Sequence, residues 1–197
     1  MTNRRYHHGD LPAALLARAE QTLRERGAGA LSLRELARDI GVSPAAPSRH
    51  FKAKQELLDA LARTGFERLA EAIADSQEGA GESFPERLDA AARAYVGFAV
   101  DNAALLDLMF SVKHSPEASE ALGATAHRWS ERLLELISYG QRRGEVRDGP
   151  LERVALPLFA GLHGYAGLSV SGMLPPEVAE HGLDDVIASL LRGCEPD

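Results

Sequence analysis

Three features of the sequence predict an all-α protein in two parts: a small N-terminal three-helix helix-turn-helix domain and a larger helical domain. Ala, Leu, Arg and Glu dominate and β-branched residues are few, which favours helix. Apolar residues recur at three- and four-residue spacing in runs opened by Ser, Asp or Pro, several of them closed by Gly. Charge is divided unevenly along the chain. Residues 1–52 carry nine Lys/Arg against five acids, a balance of +4, and the remainder holds 13 against 24, a balance of −11. The net charge of −7 therefore hides a basic, nucleic-acid-facing module on an acidic body.

The chain opens on a polar arm, residues 1–9, with Arg4, Arg5, His7 and His8. Such an arm suits minor-groove or phosphate contact, or is an end with no role. Asp10 is an N-cap, and Leu11 and Pro12 open a helix whose stripe is Leu11, Leu15, Leu16, Ala19 and Leu23. Gly27-Ala28-Gly29 ends it. The stretch from Leu31 to Phe51 reads LSLRELARDIGVSPAAPSRHF. Ser32 with Glu35 spells a capping box, in which hydroxyl and carboxylate each satisfy an orphan N–H. Leu33, Leu36, Ala37 and Ile40 then form one stripe, and Gly41 stops the helix in the left-handed conformation. Ser43 recaps the chain and Pro44 supplies the fixed φ of a first helical position. The pattern predicts helices at about 33–40 and 44–50 around a tight turn, a helix-turn-helix whose second helix enters the major groove. Pro47 is the fourth residue from Pro44, so it is expected to shape the second helix rather than break it. An ordinary helical hairpin has the same local pattern, and the flanking residues decide between the two.

Those flanks carry a resemblance. Asp10 to Leu61 resembles the DNA-binding domain of the TetR/AcrR family of bacterial transcriptional regulators, through LSLRELARDIGVS, the RHF at 49–51 and the KQELLDAL at 54–61. GLHG at 161–164 is similar to the Trp-His-Gly motif in the C-terminal domain of one TetR subgroup. Leu162 stands where the Trp would be, so only His163 and Gly164 match. The resemblance implies that Arg34 reaches base edges or phosphate, a role its guanidinium fork suits. It places Ala45, Ala46 and Ser48 in the groove, Arg49 beside them, and His50 and Lys54 on backbone phosphates, which fix register without reading sequence. Ser43 and the N–H groups behind it suit a phosphate at a helix N-terminus. Where the family usually carries an aromatic, typically Tyr, this chain has Ser48.

The boundary between the two parts is expected near residue 52, giving domains of 1–52 and 53–197. A long helix at about 54–78 connects them. GAGES at 79–83 is a loop, and Ser83 with Glu86 is a second capping box, opening a helix at about 84–101. Asn102 caps a short helix at 103–112, Ser115-Pro116 starts one at about 116–143, and Asp148-Gly149-Pro150 precedes one at about 150–171. Asp184 and Asp185 open a last helix at about 183–193. Tyr95, Phe98, Met109, Phe110, Trp129, Leu133, Phe159 and His163 cluster in this part. They are either core or the lining of a pocket for a small hydrophobic effector, mostly apolar with a few placed polar groups. The resemblance implies a ligand domain here. Ala155, Pro157, Ala160, Gly161, Gly164, Ala166 and Gly167 make a small-residue run, and Gly inside a helix costs about 1 kcal/mol against Ala, so the run needs a close neighbour. We expect the helices at 150–171 and 183–193 to pair with their copies in a homodimer that reads a palindrome of double-stranded operator DNA.

Other classes find little support. One Cys, Cys194, excludes an intrachain disulfide and fits a reducing cytoplasm. The start lacks the apolar core of a signal peptide, and no apolar run approaches the ~18 residues of a membrane span, so no membrane partner is expected. No glycine-rich phosphate loop, nucleophile elbow or His pair at metal spacing occurs, so neither enzyme activity, cofactor nor metal is expected. The expected function is sequence-specific transcriptional regulation, as a repressor released by a small hydrophobic ligand. The rivals are a ligand-independent DNA-binding protein with a filled core, and a helical binding protein or enzyme whose N-terminal hairpin is structural.

Overall fold

In the computed structural model, residues 10–196 are described; the arm with Arg4, Arg5, His7 and His8 lies outside them. Among the described residues are eight α-helices and no strand: α1 (Leu11–Arg26), α2 (Leu33–Asp39), α3 (Lys54–Glu78), α4 (Phe84–Asp101), α5 (Ala103–Val112), α6 (Glu120–Arg142), α7 (Leu151–Val170) and α8 (Pro176–Arg192). None is long and apolar enough to cross a membrane. The helices gather into two units. The first runs to Gly65 and takes in Ala104–Gly123; the second holds Phe66–Ala103 and the chain from Ala124 onward. The first unit thus takes in the start of α3 and most of α5, where Met109 of α5 lies against Gly65 of α3.

In the first unit α1 begins as expected, with the Asp10 carboxylate accepting from the Ala13 N–H at 3.2 Å. Its stripe buries Leu15, Ala19 and Leu23, and Gly27 closes it at φ +77°. Leu36 and Ala37 of α2 are buried, and Gly41 turns the chain at φ +77° as its position predicts. Two expectations fail here. The Ser32–Glu35 capping box is not formed: Ser32 is the N-cap but its hydroxyl caps nothing. The Glu35 carboxylate instead faces Arg38, at 3.8 Å. The second correction is larger. No α-helix spans 44–50. The chain makes a turn at Ser43–Ala46 and then a single 3₁₀ turn at Pro47–Arg49. The reason is Pro47. In an α-helix its N–H would bond the Ser43 carbonyl, and it has none. That carbonyl is taken one residue early by the Ala46 N–H at 2.9 Å, the i→i+3 pattern of a tighter helix. Ser48 Oγ donates to the Ala45 carbonyl at 2.7 Å, so a side chain replaces a backbone partner.

In the second unit, α4 starts with the full capping box at Ser83 and Glu86. Asn102 closes α4 rather than opening α5: its amide donates back to the Phe98 carbonyl, and its oxygen accepts from Arg68 at 2.8 Å. Two later helices begin away from their expected starts. α6 begins at Glu120, not 116, because Ser119 is the working cap, its Oγ accepting from the Leu122 N–H. α8 begins at Pro176, not 183; the Pro175-Pro176 pair places a proline at the first helical position, where it costs no hydrogen bond. α7 covers the expected span and passes through Pro157 without ending.

Candidate nucleic-acid face and ligand pocket

Around the helix-turn-helix, the first unit presents a set of exposed polar side chains on a small buried base. Pro47 and Phe51 are buried; Arg34, Ser43, Ala45, Ser48, Arg49, His50 and Lys54 are exposed, and Ala46 is half-buried. The Arg34 and Arg49 guanidiniums make no hydrogen bond or ion pair among the described residues. Lys54 Nζ rests 3.4 Å from the Gly29 carbonyl at the start of α3. Not every basic residue nearby is available. Arg18 is bound to Asp39 at 2.8 Å, and this guanidinium holds the Asp39 carboxyl below the usual carboxylate range. With no helix from 44 to 50, Ser43 stands at the mouth of a turn, and the helix N-terminus expected to cradle a phosphate there is absent. One residue that sequence reasoning passes over fixes this unit. Asp59 is buried and accepts from Gln55 Nε2 at 2.8 Å and from the Ser119 N–H at 2.7 Å, tying α3 to the chain before α6. Only the Gln55–Asp59 spacing of four hints at it.

The second unit holds an aromatic cluster. The Trp129 ring lies 5.5 Å from Phe159, edge-on at 72°, and 6.3 Å from Tyr95. His163 stacks on Phe159 at 5.2 Å and shares a 2.7 Å hydrogen bond with the Tyr95 hydroxyl through Nδ1. Burial pushes the Tyr95 phenol well above its usual range, so its O–H stays intact beside the imidazole nitrogen.

Beside this cluster are two adjoining chambers. The inner one has a volume of about 60 Å³ and is walled by Ile73, Leu88, Ala91, Tyr95, Trp129, Arg132, Leu133, Leu136, Phe159 and Leu162. The outer one, about 210 Å³, adds Ala74, Gln77, Arg87, Glu135 and Tyr139, and the two share Ile73, Ala91, Arg132 and Leu136. Of the residues expected to line a pocket, Tyr95, Trp129, Leu133 and Phe159 do. His163 sits behind, held by Tyr95. Phe98 lies under the Arg68 guanidinium at 5.9 Å. Met109 and Phe110 belong to the first unit, where Met109 fills the space beside Gly65 and Phe110 lies under Lys113 at 4.2 Å. The wall residues that sequence reasoning misses repeat with the ones it names: Leu88 and Ala91 with Tyr95, and Arg132 and Leu136 with Trp129 and Leu133, at helical spacing.

Comparison with known proteins adds an independent line. A family model described as "Bacterial regulatory proteins, tetR family" matches residues 15–61, and one described as "Tetracyclin repressor-like, C-terminal domain" matches residues 88–192. The chain is 28% identical over 149 residues to the HTH-type transcriptional regulator Rv1816 of Mycobacterium tuberculosis, a match covering 73% of this chain and 63% of that protein. The chain thus spans less than two thirds of the length of that relative. A protein of unknown function from Rhodococcus sp. RHA1 shares the fold at a TM-score of 0.90, with 41% identity over 98% of this chain and 99% of that one. PfmR of Thermus thermophilus, a TetR family transcriptional regulator, matches at a TM-score of 0.66 with 25% identity, over 90% of this chain and 97% of that one.

Proposed function

We propose that this chain, which belongs to the TetR family of bacterial regulatory proteins, is a homodimeric DNA-binding regulator that a small ligand releases from a palindromic operator. The observation that carries the reading is the pair of exposed guanidiniums without partners among the described residues, Arg34 and Arg49, flanking the turn of the helix-turn-helix. Arg34 offers a fork to guanine or phosphate, and His50 and Lys54 hold backbone phosphates. Ala45 and Ser48 lie between them on the exposed side of the turn.

Dimerisation falls to α7 and α8. Leu156 is 67% exposed on α7 and Met173, just after it, 70%. A Cβ added to Gly164 or Gly167 would meet nothing within 4 Å, leaving room for a second copy, whereas one on Gly161 would meet Leu190 of the same chain at 3.0 Å. A twofold dimer of this kind offers two reading segments to two half-sites about 34 Å apart. Regulation then needs a ligand whose affinity differs between the DNA-bound and released states. Seated against Ile73, it bears on α3, the helix that starts at Lys54.

The direct test is a gel shift with the DNA upstream of the protein's own gene. Specific, salt-sensitive binding is expected, weakened by Arg34→Ala and with a shallower salt dependence in Lys54→Ala. No binding overturns the reading, and silent variants favour a structural hairpin. Gly164→Arg is expected to yield monomers in sedimentation and to lose operator binding with them. One observation favours a second reading, in which DNA binding is ligand-independent: the inner chamber is well below the roughly 300–1,000 Å³ of ordinary ligand sites.

A further inference from the structure

The outer chamber differs from the inner one in charge, and the difference points to a class of ligand. The inner wall is apolar apart from Arg132 and the polar tips of Tyr95 and Trp129. The outer wall adds Arg87, whose Nε is buried and has no hydrogen-bond partner. Buried donors in native proteins are satisfied in about nine cases of ten or more; this nitrogen is enclosed by protein, so only the terminal nitrogens of Arg87 can meet a ligand in the chamber it lines. Its face is fixed over the Tyr139 ring at 4.9 Å, which leaves the N–H edges for a planar acceptor. The Arg132 guanidinium, at an exposed position that reaches both chambers, makes no hydrogen bond or ion pair among the described residues. The other charge on this wall is the Glu135 carboxylate, which also has no ion pair there. Two guanidiniums against one carboxylate leave a single positive charge, which suits a monoanion and penalises a cation. A dianion would be only half neutralised.

We infer that the two chambers take an amphiphilic monocarboxylate, with its carboxylate at Arg87 and Arg132 and its apolar tail against Trp129 and Phe159. This rests on the proposal that the second unit binds a small ligand, and it narrows that ligand from any apolar molecule to an acid. Arg87 sits one residue from Leu88 of the inner wall, so head and tail are read by the same turn of α4. A bidentate Arg–carboxylate pair at this position would lie at the edge of an apolar cavity, where such bonds are stronger than in water.

The single tryptophan, Trp129, makes the test direct, because its fluorescence reports the inner chamber. The full-length protein is titrated with octanoate, 1-octanol and octylamine. Octanoate is expected to move the Trp129 emission with at least tenfold tighter binding than octanol, and octylamine to bind weakest. Arg87→Met, which keeps the stem and removes the charge, is expected to erase the preference for the acid while leaving octanol binding in place. Glu135→Gln, at an exposed position, is expected to tighten octanoate several-fold and serves if the Arg87 variant does not fold. Equal binding of acid and alcohol, or a preference unchanged in both variants, overturns the inference and spares the pocket. If neither compound moves Trp129, the ligand-binding reading of the second unit falls with it.

Discussion

Two prolines test the same rule and come out differently. Pro157 is the seventh residue of α7 and should forfeit the bond from its own position to the Arg153 carbonyl, yet the helix runs on for thirteen residues. Pro47 lies only four residues into its segment counting from Pro44, should forfeit at most one bond, and sits where no α-helix forms. The number of lost hydrogen bonds therefore does not decide the outcome. What differs is the packing on either side. α7 buries Val154 and Ala155 before its proline, and Leu158, Leu162, Tyr165 and Ala166 after it, while Pro157 itself faces solvent. Burying such side chains is worth about 1.5–3 kcal/mol each, enough to carry a loss of about 3 kcal/mol. The segment 44–50 has only Pro47 buried within it and Phe51 just beyond. A segment this short lies below the length at which helix propagates well, so one missing bond is enough to keep it a 3₁₀ turn.

The largest effect is expected at Pro157. Pro157→Ala restores the Arg153 carbonyl bond on a face that is exposed in the single chain. It is expected to stabilise the protein by about 2 kcal/mol, the helix gain of about 3 less what proline contributes by restricting the unfolded chain. Urea unfolding reads this directly. An unchanged midpoint would mean that α7 relieves its proline in some way other than packing. Pro47→Ala comes next. An N–H at position 47 can reach the Ser43 carbonyl, so far-ultraviolet dichroism is expected to gain about one turn of helix, with a stability change of about 1 kcal/mol, one net hydrogen bond. No gain in helicity would clear Pro47 of the distortion and leave the Ser48–Ala45 bond as its cause.

The same contrast shows where the sequence is legible. Stripes with several buried members set α1, α3, α4, α5 and α7 in the expected places. The start of α6 is hidden because Ser115-Pro116 looks like a helix opening, while the actual cap, Ser119, is held by Asp59, a partner far away in the chain. Local pattern carries no information about that contact. The pocket divides in the same way. Periodicity marks Tyr95, Trp129, Leu133 and Phe159 as inward-facing, but it marks Met109 and Phe110 alike, and these belong to the other unit. Arg87 and Arg132 escape a reading of the sequence because charge at helical spacing ordinarily means a solvated face. Nothing in the order of residues shows that two of them end on a cavity wall.

The smallest effect separates two copies of one motif, Ser-x-x-Glu, at 32–35 and 83–86. At α4 the box closes because its donors have no better acceptor. The Phe84 N–H is taken by Glu145, Pro85 has none, and the Ser83 and Glu86 N–H groups are left to the reciprocal pair, at 3.1 Å and 3.4 Å. At α2 the Glu35 carboxylate has Arg38 beside it and the box stays open. Ser83→Ala is therefore expected to cost about 1 kcal/mol and Ser32→Ala only a few tenths, with both read by urea unfolding. The two also differ in pH dependence. Hydrogen bonds from Ser83 hold the Glu86 carboxyl below its ordinary value of 4.5. A carboxyl whose folded pKa is depressed stabilises the fold above its unfolded pKa, and that contribution disappears as the pH falls through the folded value. The penalty of Ser83→Ala should thus be full at neutral pH and shrink in acid, while that of Ser32→Ala stays flat. Equal penalties for the two serines at neutral pH would mean that the box contributes nothing beyond an N-cap, and that its closure at α4 is a consequence of the Glu145 contact rather than a source of stability.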